Sequence, residues 1–216
     1  MRERFEPLAA VAAGVATPIA IVGLSVLLFL NPLWVGFEQG RSDVTAWTGY
    51  TQTQVDQVTG SILSDLVFGP PRFDVQVDGV QVLDPREVSH MADVRSVMIT
   101  LGALALLAAV VLAAAGVAFG KRRTFWRGVE LGTGTLIAGV VVVGAAFALF
   151  FDQMFLIFHD IFFAPGTFAF DPTREKLVQL FPDQFWSDTS IALAVVVLGL
   201  AAGAHLLARR LARAAA

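Results

Sequence analysis

The run LAAVAAGVATPIAIVGLSVLLFL, residues 8–30, contains no Asp, Glu, Lys or Arg. As an α-helix this run would be about 35 Å long, which is enough to cross the roughly 30 Å hydrocarbon core of a bilayer. Three further runs also lack these charged residues: 96–119, 131–151 and 191–208. Each reaches the length, about 18 residues, that is typical of a transmembrane helix. The sequence therefore predicts an all-α membrane protein with a bundle of four transmembrane helices.

The composition agrees with a membrane protein. The chain is 56% hydrophobic and 15% charged, whereas soluble globular chains are roughly 25% charged. The first apolar run is followed by Asn31-Pro32-Leu33-Trp34, which offers no small-residue cleavage site, so we expect it to remain as an anchor. The chain contains no cysteine, which excludes a disulfide framework and a thiolate metal site. We expect one membrane domain over residues 1–216 and no cofactor.

The charges of the connecting segments predict the orientation. Basic residues outnumber acidic ones before the first run, between the second and third, and after the fourth: Arg2, Arg4, Lys121, Arg122, Arg123, Arg127, Arg209, Arg210 and Arg213 against Glu3, Glu6 and Glu130. By the positive-inside rule, both termini and the loop 120–130 are cytoplasmic, and residues 31–95 and 152–190 form an extracytoplasmic cap. The basic clusters fit membrane lipid headgroups and give no reason to expect a nucleic-acid partner.

The cap segments predict short helices and a β-hairpin. Apolar residues at three- and four-residue spacing, from Val44 to Ile62, predict one helix that begins at Ser42 or Asp43 and ends at Gly69-Pro70-Pro71. Alternating apolar residues around Asp78-Gly79 predict a hairpin within residues 72–84, with Val80 and Val82 continuing the alternation. Asp171-Pro172 predicts the start of another short helix, and Ser187 or Asp188 would begin the fourth transmembrane helix.

His90 is predicted to lie on a helix that continues into the second transmembrane run. Asp84-Pro85-Arg86-Glu87 has a capping aspartate, a proline at the first helical position and a glutamate at the third. His90 would then lie about one to two turns outside the hydrocarbon. Asp93 follows three residues later, so it shares the helix face and could orient the imidazole by a hydrogen bond.

His159 lies in an aromatic stretch, FLIFHDIFF, residues 155–163. Helical spacing places the imidazole on one face with four phenyl rings: Phe151, Phe155, Phe158 and Phe162. Both histidines are predicted at the outer membrane boundary, each beside a carboxylate, Asp93 or Asp160. Aromatic rings are common at membrane interfaces, so a simple interfacial belt is an alternative interpretation of the phenylalanines.

The motifs that are missing restrict the function. The predicted spans contain no Asp, Glu, Lys or Arg, which argues against proton-coupled transport. No nucleophile elbow, phosphate-binding glycine loop or zincin spacing occurs. One alternative is a metal-dependent membrane hydrolase that uses His90, Asp93, His159 and Asp160 as ligands. Another is a non-catalytic scaffold or assembly factor.

Two blocks resemble a bacterial integral-membrane family, the lipoprotein intramolecular transacylases. They are REVSHMADVRSV, residues 86–97, and FHDIFFAPGTFAFDPTREKLVQLFPDQFWSD, residues 158–188. The chain departs from the family pattern at Phe168, where a tryptophan is usual. The resemblance implies a four-helix bundle with an outward cap in the bacterial cytoplasmic membrane. It implies transfer of an acyl chain from the sn-2 glyceryl oxygen of a diacylated lipoprotein to the amino group of its terminal cysteine, giving a lyso-form lipoprotein.

The resemblance also implies a catalytic histidine pair, matched here by His90 and His159. We predict His159 as the base, since its setting is the more apolar, and His90 as the donor to the oxyanion and the departing oxygen, with Asp93 in support. The amine that attacks belongs to the substrate, so no nucleophile from the enzyme is needed. We expect five aromatic residues to line the substrate site: Phe155, Phe158, Phe162, Tyr50 and Trp186.

Overall fold

The computed structural model describes residues 2–215, and nearly all of its regular structure is helical. After a 3-10 turn at Arg2–Phe5, the elements are α1 (Glu6–Phe29), α2 (Pro32–Arg41), α3 (Val44–Thr48), α4 (Gln52–Val67), β1 (Gln76–Val77), β2 (Val80–Gln81), α5 (Pro85–Phe119), α6 (Arg123–Leu149), α7 (Phe151–Phe162), α8 (Lys176–Leu180) and α9 (Asp183–Ala214). Four of these helices, α1, α5, α6 and α9, are long and apolar enough to cross a membrane. The predicted all-α membrane fold with four transmembrane helices and a small hairpin is confirmed.

The described residues form two compact units. Residues 2–27, 101–145 and 192–215 form the bundle unit, and residues 28–100 and 146–191 form the histidine unit, which contains both His90 and His159.

In the bundle unit, glycines allow α6 to pack directly on α1. A Cβ atom added to Gly128 would lie 2.1 Å from the Ala10 carbonyl oxygen, and one added to Gly132 would lie 2.1 Å from that of Gly14. The backbones of the two helices therefore touch, as small residues allow in membrane helix pairs. Beside this contact, Ala13, Phe125, Val129 and Ala208 form a small core.

In the histidine unit, one hydrophobic core joins α4, the hairpin and α8. Its largest fully buried members include Ile62 of α4, Phe73 ahead of β1, Leu83 and Leu180. A two-stranded hairpin is only marginally stable in water by itself. Here it buries its apolar side chains against α4 and α8. This core supports the N-terminal turns of α5, since Met91 also belongs to it.

The single helix expected from Ser42 or Asp43 to Gly69-Pro70-Pro71 is divided, so that prediction was wrong. Helix α3 ends at Thr48, Gly49 adopts φ 72°, and α4 begins after Thr51, whose side chain forms a capping box with Gln54. The left-handed conformation at Gly49 cannot continue a helix, and the capping box begins a new one. Helix α2, capped by the Asn31 side chain, was not predicted.

The hairpin is shorter than expected, with two residues in each strand. Asp78 and Gly79 both have positive φ, 52° and 77°, as a type I′ turn requires, and Val77 pairs with Val80. The alternating residues Phe73, Val75, Val77 and Val82 are buried, but Val80 is 69% exposed.

Two helix starts also differ from the predictions. Helix α8 begins at Lys176 because the Asp171 carboxylate accepts hydrogen bonds from the backbone N–H and the hydroxyl of Thr173, which closes a local turn instead of capping a helix. Helix α9 begins at Asp183, directly after Pro182 and ahead of Ser187 and Asp188.

Candidate functional site

The N-terminus of α5 places His90. The Asp84 carboxylate accepts hydrogen bonds from the N–H groups of Arg86 (2.7 Å) and Glu87 (2.9 Å), and the Glu87 carboxylate accepts one from the N–H of Asp84 (2.6 Å). This reciprocal capping fixes the first turn of the helix. The helix then runs without interruption to Phe119, as the sequence predicted, and His90 lies in its second turn.

A break after α6 places His159. Phe150, with φ −139° and ψ 50°, separates α6 from α7. Along α7 the Nδ1 atom of His159 lies 2.8 Å from the carbonyl oxygen of Phe155, one turn earlier. A carbonyl oxygen can only accept, so Nδ1 carries the proton and the lone pair of the neutral ring is on Nε2.

The structure brings the two histidines together. Their ring centroids are 6.0 Å apart and their planes differ by 22°. Both side chains are buried, with His90 6% and His159 8% exposed. The Nδ1 atom of His90 is buried and has no hydrogen-bond partner among the described residues. Two buried imidazoles thus face each other.

Phenylalanine rings surround the histidine pair. Phe163 contacts both histidines, with its centroid 4.7 Å from that of His90 and 5.4 Å from that of His159. Phe168 lies 5.0 Å from His159, and Phe170 lies 5.4 Å from His90. Phe155 and Phe158 of α7 lie 4.2 Å and 5.4 Å from His159.

Burial holds both rings in the neutral form. His90 lies ahead of the apolar run 96–119, the stretch that the sequence predicts to span the membrane. Burial lowers the pKa of His90 to about 4; the neighbouring His159 lowers it too, while Asp93 raises it. Burial also lowers the pKa of His159, against the opposing effects of the Phe155 carbonyl and Asp160. Both imidazoles are therefore uncharged at neutral pH.

The other predicted site residues lie at different distances from the pair. Phe162 packs on Phe158, with centroids 4.9 Å apart, and Trp186 lies 6.3 Å from Phe155, so both belong to the outer part of the aromatic cluster. Tyr50 packs against the core of the histidine unit instead, beneath the Lys176 ammonium group, which lies 5.0 Å from its ring.

The expected hydrogen bond from Asp93 to His90 is not formed between these two described residues. Asp93 is exposed, whereas the imidazole of His90 is buried. Its negative charge still acts on His90 through space.

Three aromatic residues of the site, Phe163, Phe168 and Phe170, were not predicted as site residues. Phe168 and Phe170 alternate with Ala169 in an irregular segment, and alternation of this kind puts two rings on the same side of an extended chain. That spacing was the signal that could have identified them. Phe163 is the last residue of the aromatic stretch and caps α7.

The ligand set of the metal-hydrolase alternative does not assemble. Within residues 2–215, no three His, Asp or Glu side chains lie close enough together to hold a metal ion. Asp93 and Asp160 are both exposed, whereas the two histidines are buried.

Comparison with known proteins identifies the family. The model of the family described as lipoprotein intramolecular transacylase Lit matches residues 11–186. A structure of the membrane integral lipoprotein intramolecular transacylase Lit from Bacillus cereus is similar, with a TM-score of 0.83 and 16% identity over 98% of this chain and 97% of that chain. Two further structures of the Bacillus cereus protein have one histidine replaced, by arginine or by alanine. They match with TM-scores of 0.76 and 16% identity over 98% of this chain and 93% and 95% of theirs.

No curated protein was found to match the sequence. At 16% identity the structural likeness supports the fold, and the family match extends over most of the chain. The chain therefore belongs to the lipoprotein intramolecular transacylases, a family of membrane enzymes.

Proposed function

We propose that this transacylase moves an acyl chain from the sn-2 glyceryl oxygen of a diacylated lipoprotein to the α-amino group of its N-terminal cysteine. Family membership supports the transacylase activity. The observation that supports the finer proposal is the buried pair of neutral imidazoles, 6.0 Å apart, inside a phenylalanine cluster.

The reaction needs no nucleophile from the enzyme, because the attacking amine and the ester that it attacks belong to the same lipoprotein molecule. The site has only to hold the two groups together. Well-oriented intramolecular attack can reach effective molarities of about 10⁵ M or more. The amine attacks the ester carbonyl, the new C–N bond forms, and the bond from the acyl carbon to the glyceryl oxygen breaks.

We assign the role of base to His159. Its Nδ1–H is directed to the Phe155 carbonyl oxygen, which leaves the Nε2 lone pair free. Nε2 would take the proton that the amine loses as it attacks. The same backbone hydrogen bond favours the imidazolium that forms, since Nδ1 continues to donate to the carbonyl oxygen.

We assign the role of hydrogen-bond donor to His90. Its pKa of about 4 means that the ring is neutral at pH 7. A neutral imidazole donates through one N–H, and it would stabilise the oxyanion of the tetrahedral intermediate in this way. A ring this weakly basic is a poor source of a transferable proton. The sequence led us to expect that His90 protonates the glyceryl oxygen. We assign this step to the imidazolium of His159 instead, because it carries the proton taken from the amine. The step returns His159 to its neutral form.

The phenyl rings would confine the acyl chains and keep water from the ester. Phe155, Phe158 and Phe163 contact His159 and form the inner wall. Phe162 and Trp186 lie one ring further out, where they would meet the lipid part of the substrate. Tyr50 lies outside this aromatic cluster. Its ring packs on the core of the histidine unit and beneath Lys176, so we give it no contact with the acyl chains.

We also propose that both termini and the α5–α6 loop are cytoplasmic, so that the histidine unit faces the extracytoplasmic side. The support is the excess of Lys and Arg in the segments at one end of the predicted spans. Diacylated lipoproteins and membrane lipids would then be the partners of the site.

Mass spectrometry of a lipopeptide product tests the reaction. The full chain is purified in detergent and incubated with a synthetic diacylated lipopeptide, and fragment spectra locate each acyl chain. The expected product has the same total mass as the substrate, with one chain on nitrogen and a free glyceryl hydroxyl. His159→Ala should leave the substrate unchanged. Fragment spectra that are identical before and after incubation with the unaltered protein would refute the proposal.

A further inference from the structure

Arg86 connects the start of α5 to the segment that carries two of the phenyl rings. Its Nη2 atom donates to the carbonyl oxygen of Ala169 (2.9 Å), and its Nη1 atom pairs with the carboxylate of Glu175 (3.2 Å). The guanidinium carbon also lies 5.5 Å from the centroid of the Phe170 ring, within the range of a cation–π interaction. One side chain thus has three contacts with residues 169–175.

The segment that Arg86 contacts, residues 168–170, places one phenyl ring against each histidine. Phe168 lies 5.0 Å from His159, and Phe170 lies 5.4 Å from His90. The residue between them is Ala169, whose carbonyl oxygen Arg86 binds. Arg86 and His90 are four residues apart on α5, so they share a helix face. A shift of Arg86 would therefore move both rings relative to the histidine pair.

Little else fixes this part of the segment. Within the described residues, Phe168, Ala169 and Phe170 form no backbone–backbone hydrogen bond, and they belong to no helix or strand. Further hydrogen bonds begin at the next residues: the N–H of Asp171 donates to the carboxylate of Glu175, and the Nε2 atom of Gln179 donates to the carbonyl oxygen of Pro172 (2.8 Å). Within residues 168–170, the carbonyl oxygen of Ala169 is bonded by Arg86 and by no other described side chain.

We propose that Arg86 is a positioning residue for acyl transfer: it holds residues 168–170 so that Phe168 and Phe170 close over the histidine pair and exclude water. The inference rests on the proposed function. The consequence concerns the products. If the rings are displaced, water reaches the ester and attacks the same carbonyl carbon. The bond from the acyl carbon to the glyceryl oxygen then breaks, and the products are a free fatty acid and a glyceryl hydroxyl with no chain on nitrogen.

The test measures both products from the diacylated lipopeptide with the full chain in detergent. Arg86→Ala is expected to lower kcat about 100-fold, as displacements of about 1 Å can do, with a smaller change in KM. It should also raise the ratio of free fatty acid to N-acylated product. Arg86→Lys should recover part of the kcat and part of the original product ratio. An ammonium group can donate to the Ala169 carbonyl oxygen, but it cannot bind Ala169 and Glu175 through two separate nitrogens as the guanidinium does. Loss of transfer without a change in the product ratio, or with no recovery in Arg86→Lys, would contradict the proposal.

Arg174→Ala is the matched control. Arg174 pairs with Asp171 at 3.8 Å, its side chain is 85% exposed, and it has no contact with the histidine pair. It should keep kcat and the product ratio within about twofold of the unaltered protein. An Arg86→Ala variant that behaves like Arg174→Ala would overturn the proposal.

A second variant decides the matter if Arg86→Ala does not fold. Glu175→Gln removes the charged partner of Arg86 and should shift the product ratio in the same direction by a smaller factor. An unchanged ratio in Glu175→Gln overturns the positioning role. Different results contradict the two proposals. If His159→Ala retains activity, the proposed reaction mechanism is wrong. If His159→Ala is inactive but Arg86→Ala is fully active, only the proposed role of Arg86 is wrong.

Discussion

A single backbone contact defines the chemical state of His159. Its Nδ1 atom lies 2.8 Å from the Phe155 carbonyl oxygen, which fixes the tautomer and leaves Nε2 as the basic atom. His90 has no such partner at Nδ1 among the described residues. The two imidazoles are therefore unequal: one has a fixed basic atom, and the other is a neutral ring with a very low pKa. This inequality leads to two predictions.

The pH dependence of kcat/KM should reveal the low pKa of His159. The α-amino group of a peptide ordinarily has a pKa of about 7.7–8.0, so log kcat/KM should fall with a slope of one as the pH decreases below about 8. Burial lowers the pKa of His159, so the proposed base stays unprotonated to a lower pH than an ordinary histidine. A second unit of slope should begin only below the ordinary value of about 6.5. Initial rates with the diacylated lipopeptide measure the profile, and a slope of two that begins at about pH 6.5 would show an unperturbed base.

Glutamine and alanine substitutions should distinguish the two histidines. Loss of an oxyanion donor costs about 10²–10³-fold in kcat, and loss of a general base about 10²–10⁴-fold. A glutamine amide can donate a hydrogen bond but is not a base. His90→Gln should therefore keep clearly more activity than His90→Ala, whereas His159→Gln should be as inactive as His159→Ala. The measured quantity is kcat for N-acylation, and the opposite pattern would exchange the two roles.

Much of the site could be predicted at the level of residues. Helical spacing in the stretch 155–163 places Phe155, Phe158 and His159 on one face, and the helix start at Asp84 leads to His90. The family resemblance then suggested that the two histidines act together. Phe168 and Phe170 were missed because an irregular segment has no periodicity that identifies its partners. Their position depends on a side chain from α5, Arg86.

Among the elements, the contact between α1 and α6 is the tightest example of helix packing in the bundle unit. Gly132 has no room for a side chain, since an added Cβ would lie 2.1 Å from the Gly14 carbonyl oxygen. Gly139 lies on the same helix, two turns further on, and has nothing within 4 Å of the same position. The two glycines form a matched pair for an experiment.

Gly132→Ala should destabilise the protein, and Gly139→Ala should not. The first substitution forces two backbones apart, and overpacking typically costs about 1–3 kcal/mol. The second adds only helix propensity, which favours alanine over glycine by up to about 1 kcal/mol. Thermal unfolding in detergent should give a lower Tm for Gly132→Ala and an unchanged or higher Tm for Gly139→Ala. Equal Tm values for the two variants would contradict the direct contact of α1 with α6.

Glu87 links α5 to the first turn of α8, and its removal should destabilise the protein. The carboxylate is 1% exposed and accepts hydrogen bonds from the N–H groups of Leu177 and Asp84, each at 2.6 Å. Each buried donor that loses its partner costs about 1–3 kcal/mol. Glu87→Ala should therefore lower the free energy of unfolding by roughly 2 kcal/mol or more, whereas Asp74→Asn, at an exposed carboxylate, should have little effect. Chemical unfolding in detergent measures both, and similar values would show that the Glu87 hydrogen bonds carry little stability.

A helix or strand could be predicted when the sequence features that define it lie within a few residues of one another. The four apolar runs and the start of α5 at Asp84-Pro85 could be predicted because hydrophobicity and capping act over a few residues. The division between α3 and α4 was missed, since the apolar spacing continues across Gly49 and hides the break. The start of α8 was misplaced because Asp171 can close a turn as readily as it can cap a helix.

For the whole molecule, the distribution of charge predicts the orientation that the proposed reaction requires. Nine of the 15 Lys and Arg residues lie in the segments predicted to be cytoplasmic. Four helices long and apolar enough to span a membrane return the chain to its starting side, so both termini are expected on the same face. The absence of cysteine from the sequence makes this orientation directly measurable, because a single introduced thiol is then the only one that a maleimide reagent can modify.

Single cysteines at two exposed positions should report opposite sides of the membrane. Gln57 is exposed on α4 of the histidine unit, and Ala214 is exposed at the end of α9. Gln57→Cys should react with a membrane-impermeant maleimide in intact cells, since we place the histidine unit outside. Ala214→Cys should react only after the membrane is permeabilised, and the unaltered chain should not react under either condition. If Ala214→Cys reacts in intact cells while Gln57→Cys is protected, the orientation is reversed, and the histidine pair then lies on the cytoplasmic side, where the proposed substrate would have to be presented.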